Sequence, residues 1–300
     1  MVKKDVILNV FSCSTMAPCK IYAGLFFKDT PIIINVPGTT SADFRNIAIK
    51  WGLTGDLFRA AMNELVPNSK DIEIGRRGLT TFSAGWNFTE ELFKFEKEVE
   101  RLDAYILLDG MHCPIFDNWI KFARRAAEGK AFFVMCHSSI TPPFISSTTS
   151  NTEIFTAASQ GLPTNNDIPD YILHAQLPEN GVTITAAASY NKDGKLILPK
   201  STKKWVNDSL INSNRCGNMT ILGYSGNDRP DHIFLAWYVS KRIWQWLGET
   251  WSKTDPIIIP EEKTVEPTPE IELKEIQNQS FIQVILIYLM LLFKKLFGTK

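Results

Sequence analysis

Short apolar or alternating runs closed by turn residues recur through the first half of the chain, and stretches of helical periodicity separate them. Asp5 to Ser12 (DVILNVFS), Ile21 to Lys28 (IYAGLFFK) and Pro31 to Val36 (PIIINV) read as strands. The third is nearly all apolar, as a strand covered on both faces should be. Phe44 to Val66 carries two helical pieces, FRNIAIKWG and GDLFRAAMNELV, stopped by Pro67-Asn68. Leu79 to Phe82 is again β-prone. A helix is predicted from Phe88 to Leu102, with Phe88, Leu92, Phe95 and Val99 on one face and charges opposite. Asp103 to Leu108 (DAYILL) and Ala131 to Cys136 (AFFVMC) read as buried strands on either side of a helix over Asn118 to Gly129.

Strands alternating with helices at this spacing imply right-handed crossovers and a mostly parallel sheet flanked by helices, an α/β fold whose chemistry gathers at the carboxyl ends of the strands. From about 144 to 216 the pattern loosens into a Ser/Thr-rich loop, a short helix near Glu153 to Ser159, and a hairpin turning at Asn191-Lys192-Asp193-Gly194. This reads as an insertion before the last core strand, Asn218 to Tyr224. The loop SGNDRPD and His232 follow, and then an aromatic-rich helix from Ile233 to Leu247 whose stripe is expected to pack in the core.

Beyond about residue 252 the composition changes. Residues 253–279 are rich in Pro and Glu and read as a linker. Phe281 to Phe293 (FIQVILIYLMLLF) is apolar all round, so residues 280–300 are expected to form a hydrophobic C-terminal helix that lipid or protein must cover. Its thirteen residues reach about 20 Å against a hydrocarbon core of about 30 Å, and Leu296 and Phe297 extend it to the lower limit of a span. The favoured expectation is membrane association through this helix, with docking to a partner protein or larger assembly, or self-association, next. Residues 1–252 are read as the single folded domain. The apolar run Val6 to Phe11 is short and preceded by Asp5, so no secretory signal is expected.

Charge narrows the function classes. With 32 basic and 32 acidic residues the chain carries no net charge, which argues against a nucleic-acid footprint. Its five cysteines lack CxxC pairing, so neither a zinc site nor a disulfide framework is suggested, although a Cys13–Cys19 bridge stays open.

The stretch GRRGLTTFSAGW, Gly75 to Trp86, runs from a strand directly into a helix and places Ser83 on the tight turn between them. Such a turn forces the serine backbone into a strained conformation and lifts Oγ clear of the sheet, provided that small residues let strand and helix approach. Gly85 meets that requirement and Thr81 departs from it; an ordinary helix cap would also account for a serine here. Asp109 ends the next strand and His232 follows the last one, giving the order Ser, Asp, His. The backbone N–H of Ala84, with one from Gly38 or Thr39 after the Pro31 to Val36 strand, is the candidate oxyanion hole. His112 and His137 also lie at strand ends and are candidates for supporting contacts. No ligand spacing supports a metal site from them, and no cofactor is called for. His174 has no assigned role. Asp228 and Asp231 compete for the acid, but Asp231 is badly placed to orient the ring of its own neighbour.

TTFSAGW, LLDGMHC, HSSITPPFISSTTSNTE and GYSGNDRPDH together resemble a group of α/β-hydrolase-fold serine hydrolases of bacteria and bacteriophages, over roughly residues 31 to 250. The resemblance implies a Ser83-Asp109-His232 triad, with the acid one strand earlier than in most such hydrolases and without the His-Gly common at the oxyanion strand. The expected function is that of a serine esterase or lipase-type acyl hydrolase acting through an acyl-enzyme on a small-molecule or lipid-like ester. Amide or peptide hydrolysis is the rival at the same site. A non-catalytic attachment or assembly protein of a virion or envelope is the rival from a different class.

Overall fold

The computed structural model describes residues 2–11, 27, 29–38, 40–111, 115–139, 147–173, 182–185, 189–190, 196–197, 201–204, 210–226 and 229–254. All lie in one compact unit, Met1–Asp255. The expected Ile21 to Lys28 strand (of which only Phe27 is described), the 280–300 helix and nearly all of the 253–279 linker lie outside the described residues.

The main sheet has seven strands in the order β2-β1-β3-β4-β5-β11-β10. These are β1 (Val2–Val10), β2 (Ile32–Asn35), β3 (Ile72–Phe82), β4 (Ala104–Leu108), β5 (Phe132–His137), β10 (Leu210–Cys216) and β11 (Met219–Tyr224). All neighbours are parallel except the β10–β11 pair at one edge. The chain steps outward from β1 to β2 and then returns on the other side of β1 to start β3, so strand order reverses between β1 and β3. At such a reversal the crossovers leave on opposite faces and open a crevice at the carboxyl ends.

Strict alternation explains why the sheet is covered on both faces. Val6, Leu8 and Val10 of β1, Tyr105 and Leu107 of β4, and Phe133 and Met135 of β5 enter one core. That core also holds buried residues of α1 (Ser41–Gly52), α2 (Leu57–Leu65), α3 (Trp86–Leu92), α5 (Asp117–Ala127) and α6 (Ser147–Ser159). Ile7, Ile106, Leu108, Val134 and Cys136 enter the other, against the aromatic C-terminal helical segment and α7 (Asp170–Leu173). Each large apolar side chain fully buried this way contributes about 1.5–3 kcal/mol.

The structure departs from the expected elements in four places. Strand β3 begins at Ile72, because Arg76 and Arg77 are carried into the sheet by Asp5 at 2.7 Å and Asp56 at 2.9 Å. The single helix expected over Phe88 to Leu102 is broken into α3 and α4 (Glu96–Glu100). Phe93 caps α3, still helical, and stacks on Trp119 at 4.1 Å; the chain then turns through Lys94 and Phe95, and Phe95 lies against Gly52. The polar segment Leu210–Cys216, read as part of the loosened insertion, is the antiparallel edge strand β10, turned back by Gly217 with φ 56°. Finally, the last helix starts earlier than Ile233. It comprises α8 (Arg229–Phe234), a π-helical stretch over Leu235–Val239, and α9 (Ser240–Thr254), so His232 sits inside a helix and not in the loop before it.

Between α7 and β10, β6 (Val182–Thr185) pairs antiparallel with β9 (Ser201–Lys204), and β7 (Ser189–Tyr190) with β8 (Leu196–Ile197). This is the pairing the Asn191 to Gly194 turn predicts. Among the described residues no helix is long and apolar enough to cross a membrane.

Candidate active site

Strand β3 ends at Phe82, and Ser83 takes φ 51°, the left-handed region that a residue with a Cβ enters only at a cost of about 1–2 kcal/mol. A single 3-10 turn, Ser83–Gly85, then leads into α3. Two contacts show what holds the strained turn in place. A Cβ on Gly85 would fall 2.4 Å from the Val10 carbonyl oxygen and 3.3 Å from Thr81 Cβ, so the turn is seated against the end of β1 where only glycine fits. The Thr81 hydroxyl, at the position where a small residue is expected, is bonded to the Tyr105 hydroxyl at 2.9 Å, and Tyr105 is bonded in turn to Thr89 of α3 at 2.9 Å. Strand, helix and neighbouring strand are thus joined through one buried phenol, which accommodates the larger Thr81 side chain.

Asp109 follows β4 with φ 44°, a second non-glycine residue in the left-handed region. The next residue passes directly over the serine turn: a Cβ on Gly110 would lie 3.2 Å from the Ser83 carbonyl oxygen and 3.3 Å from its nitrogen. The Asp109 carboxylate is 1% exposed and accepts from His232 Nδ1 at 2.7 Å, from the Ser138 backbone N–H at 3.1 Å, and from Ser138 Oγ. Burial pushes this carboxyl up, and that is the largest single influence on it. The His232 hydrogen bond and charge, with the two Ser138 hydrogen bonds, together outweigh it and hold the group below its ordinary value.

His232 reaches Asp109 from α8, and its ring lies on Phe82, the residue before Ser83, with centroids 4.4 Å apart and planes 32° from parallel. An ionised carboxylate only accepts, so Nδ1 carries the hydrogen and Nε2 is the basic nitrogen. His232 Nδ1 is bonded to Asp109, and Asp231 packs elsewhere, along the loop before α8. Its buried carboxylate packs over Gly226, where a Cβ would fall 2.2 Å from Asp231 Cγ.

The structure therefore brings Asp109 and His232 together and sets both beside the Ser83 turn. Ala84 is the middle residue of that turn. Gly38 follows β2, packs against Phe44, and is separated from β3 by β1, about 10 Å of sheet at ordinary strand spacing. His137 ends β5 and is 3% exposed, with Nδ1 3.4 Å from Asn151 Nδ2; burial lowers its proton affinity. Among the described residues, no hydrogen bond joins it to the Asp109–His232 pair. Thr39, His112, His174, Asp228, Cys13, Cys19 and Cys113 lie outside the described residues, while Cys136 and Cys216 are buried free thiols. Among the described residues no cluster of His, Cys, Asp or Glu is arranged to hold a metal ion.

Three participants were not singled out by sequence: Ser138 beneath the acid, Phe82 beneath the imidazole, and Tyr105 behind the turn. A serine after a strand and an aromatic in a strand are too common to signal a role alone. Only their register against Asp109, His232 and Thr81 distinguishes them. No protein-family model matches the chain, and no curated protein or solved structure matches it.

Proposed function

We propose that this chain is a serine hydrolase with an α/β-hydrolase-like fold that cleaves carboxylic esters through an acyl-enzyme, with Ser83 as nucleophile, His232 as base and Asp109 as its orienting acid. The observation that carries the reading is the buried 2.7 Å Asp109–His232 pair beside a serine held at positive φ. Strain of this kind is retained where surrounding structure over-determines it, and it concentrates at functional sites.

In the proposed reaction His232 Nε2 takes the Ser83 hydroxyl proton as Oγ bonds to the ester carbonyl carbon. The Ala84 N–H faces the developing oxyanion, and one such donor is typically worth about 3 to 4 kcal/mol. A second donor from Gly38 or Thr39 requires the β2–α1 turn to reach across the end of β1. Collapse of the tetrahedral intermediate breaks the C–O bond, and His232 returns the proton to the leaving alcohol. Water, deprotonated by the same nitrogen, then attacks the acyl carbonyl and releases acid and free serine. Asp109 holds the Nδ1–H tautomer and stabilises the imidazolium in both halves. The apolar run 281–293 would hold the enzyme at a membrane or on a larger assembly, consistent with a lipid-like or small ester as substrate.

Hydrolysis of p-nitrophenyl acetate and of a matched p-nitroanilide by the full chain, its Ser83→Ala variant and buffer provides the test. Ester turnover lost in Ser83→Ala supports the reading, and faster anilide turnover reassigns it to amide hydrolysis. Equal rates in the protein and the variant favour a non-catalytic attachment protein.

A further inference from the structure

We propose that Ser138 is a positioning residue of this site, the group that fixes and partly neutralises the Asp109 carboxylate so that one of its oxygens meets His232. The inference rests on the hydrolase reading for its kinetic consequence, but not for its structural one.

Both donors that Asp109 receives besides His232 come from this one residue. The Ser138 N–H reaches Oδ1 at 3.1 Å, and the Ser138 hydroxyl reaches Oδ2, the same oxygen that accepts from His232 Nδ1. Asp109 is 1% exposed and so is Ser138, so water has little access to replace either bond. A carboxylate gripped at both oxygens from one side cannot rotate about its terminal bond. The oxygen presented to His232 is then the one the fold selects.

Ser138 is itself held from two further directions. Its carbonyl accepts from Thr148 Oγ1 in the first turn of α6 at 3.3 Å, and the next residue, Ser139, donates its N–H to the Gly226 carbonyl at 2.9 Å. Gly226 lies in the loop between β11 and the helix carrying His232, with Asp231 packed over it. The two residues after β5 thus tie the loop bearing the acid to the loop leading to the base. They follow the strand between the two, β5, which pairs with β4 on one side and β11 on the other.

Removing the hydroxyl leaves the N–H bond and the backbone in place, so the carboxylate keeps its position but loses one charge-assisted donor. Its charge is then less shared, and the adjacent imidazolium is favoured. Among the described residues, Cys136 and His137 of β5 are the other titratable groups that feel the Asp109 charge, and the buried Asp231 is the chain neighbour of His232. They are common to the native chain and the variants, so a difference between the two isolates Ser138.

The test is the titration of the His232 ring by NMR in the full-length native protein, Ser138→Ala and Ser138→Thr. The chain has four histidines, and His232→Gln assigns the signal. The expected result is a His232 pKa raised by about half to one unit in Ser138→Ala, a typical share of one charge-assisted hydrogen bond, with Ser138→Thr restored toward native. In ester hydrolysis the acid limb of the kcat/KM profile should move up with it, with KM little changed. A His232 titration in Ser138→Ala that superposes on or falls below the native curve overturns the inference, even if Ser83-dependent hydrolysis is present. A raised titration in a protein lacking Ser83-dependent hydrolysis keeps Ser138's role and removes the hydrolase reading instead. If Ser138→Ala does not fold, Ser138→Cys, a weaker donor of similar size, should show the same direction of shift, and no shift there overturns the inference.

Discussion

Replacing Gly85 by alanine should damage the serine turn through one contact. The added methyl would sit 2.4 Å from the Val10 carbonyl oxygen, short of ordinary van der Waals contact by about 1 Å, and 3.3 Å from Thr81 Cβ. The oxygen belongs to the last residue of β1, a strand paired on both sides, and Thr81 is held by Tyr105, so neither neighbour can yield cheaply. The turn itself must move. Overpacking of this size costs about 1 to 3 kcal/mol, which for a unit of this length lowers the melting temperature by roughly 2 to 12 °C. A displacement near 1 Å at a nucleophile can cost about a hundredfold in rate. Gly55→Ala is the control: it places alanine at positive φ, 79°, where Gly85 has φ −60°, but meets nothing within 4 Å, so it carries backbone strain without a clash. Calorimetry and p-nitrophenyl acetate hydrolysis on both variants separate the effects. Gly55→Ala should lose some stability and keep its activity, whereas Gly85→Ala should lose both. Native melting and native activity in Gly85→Ala would refute the packing argument for the turn.

Asp109→Asn should lower kcat/KM by about three to four orders of magnitude with little change in KM, because an amide stabilises the wrong imidazole tautomer; loss of under tenfold would point to another acid. The same carboxyl links stability to pH. Its folded pKa is lowered from 3.8, so its contribution is fully present above that value and is lost as pH falls through the lower folded value. Urea midpoints measured from pH 5 to pH 2 should therefore fall less steeply in Asp109→Asn than in the native chain. Tyr105→Phe removes the hydroxyl shared by Thr81 and Thr89 and leaves two buried hydroxyls to re-pair, so denaturant titration should show a loss of about 1 to 3 kcal/mol. Phe93→Ala, which vacates the stack on Trp119, should cost about 3 to 5 kcal/mol in the same assay, and a cost below 1 would mean that this stack is not a close-packed part of the core.

The parts of the fold legible in sequence were those where one period dominates. β1, β4 and β5 are buried on both faces and read as short apolar runs, and the β7–β8 pairing followed from its Asn-Lys-Asp-Gly turn. What hid the rest was polar sequence placed by long-range partners. Arg76 and Arg77 look like a loop until Asp5 and Asp56 are brought to them, and LINSNRC looks unstructured until β11 supplies an edge. The α3–α4 break was invisible because the Phe88-Leu92-Phe95-Val99 spacing is helical and the seat of Phe95 against Gly52 is tertiary. At the site, chain order and strand-end position were enough to pair Asp109 with His232 across 123 residues. Ser138 was not legible, since nothing local distinguishes it from Ser139, and only the register of β4 against β5 puts it beneath the acid.

The central claim is that Ser83 is a nucleophile made reactive by His232. Mass spectrometry of the full chain after brief exposure to a fluorophosphonate, with the rate of adduct formation followed at Ser83, tests it most directly. The account predicts a single adduct on the peptide containing Ser83, forming at least about a hundredfold more slowly in His232→Gln. No adduct at Ser83, or one that forms equally fast without the imidazole, would contradict it.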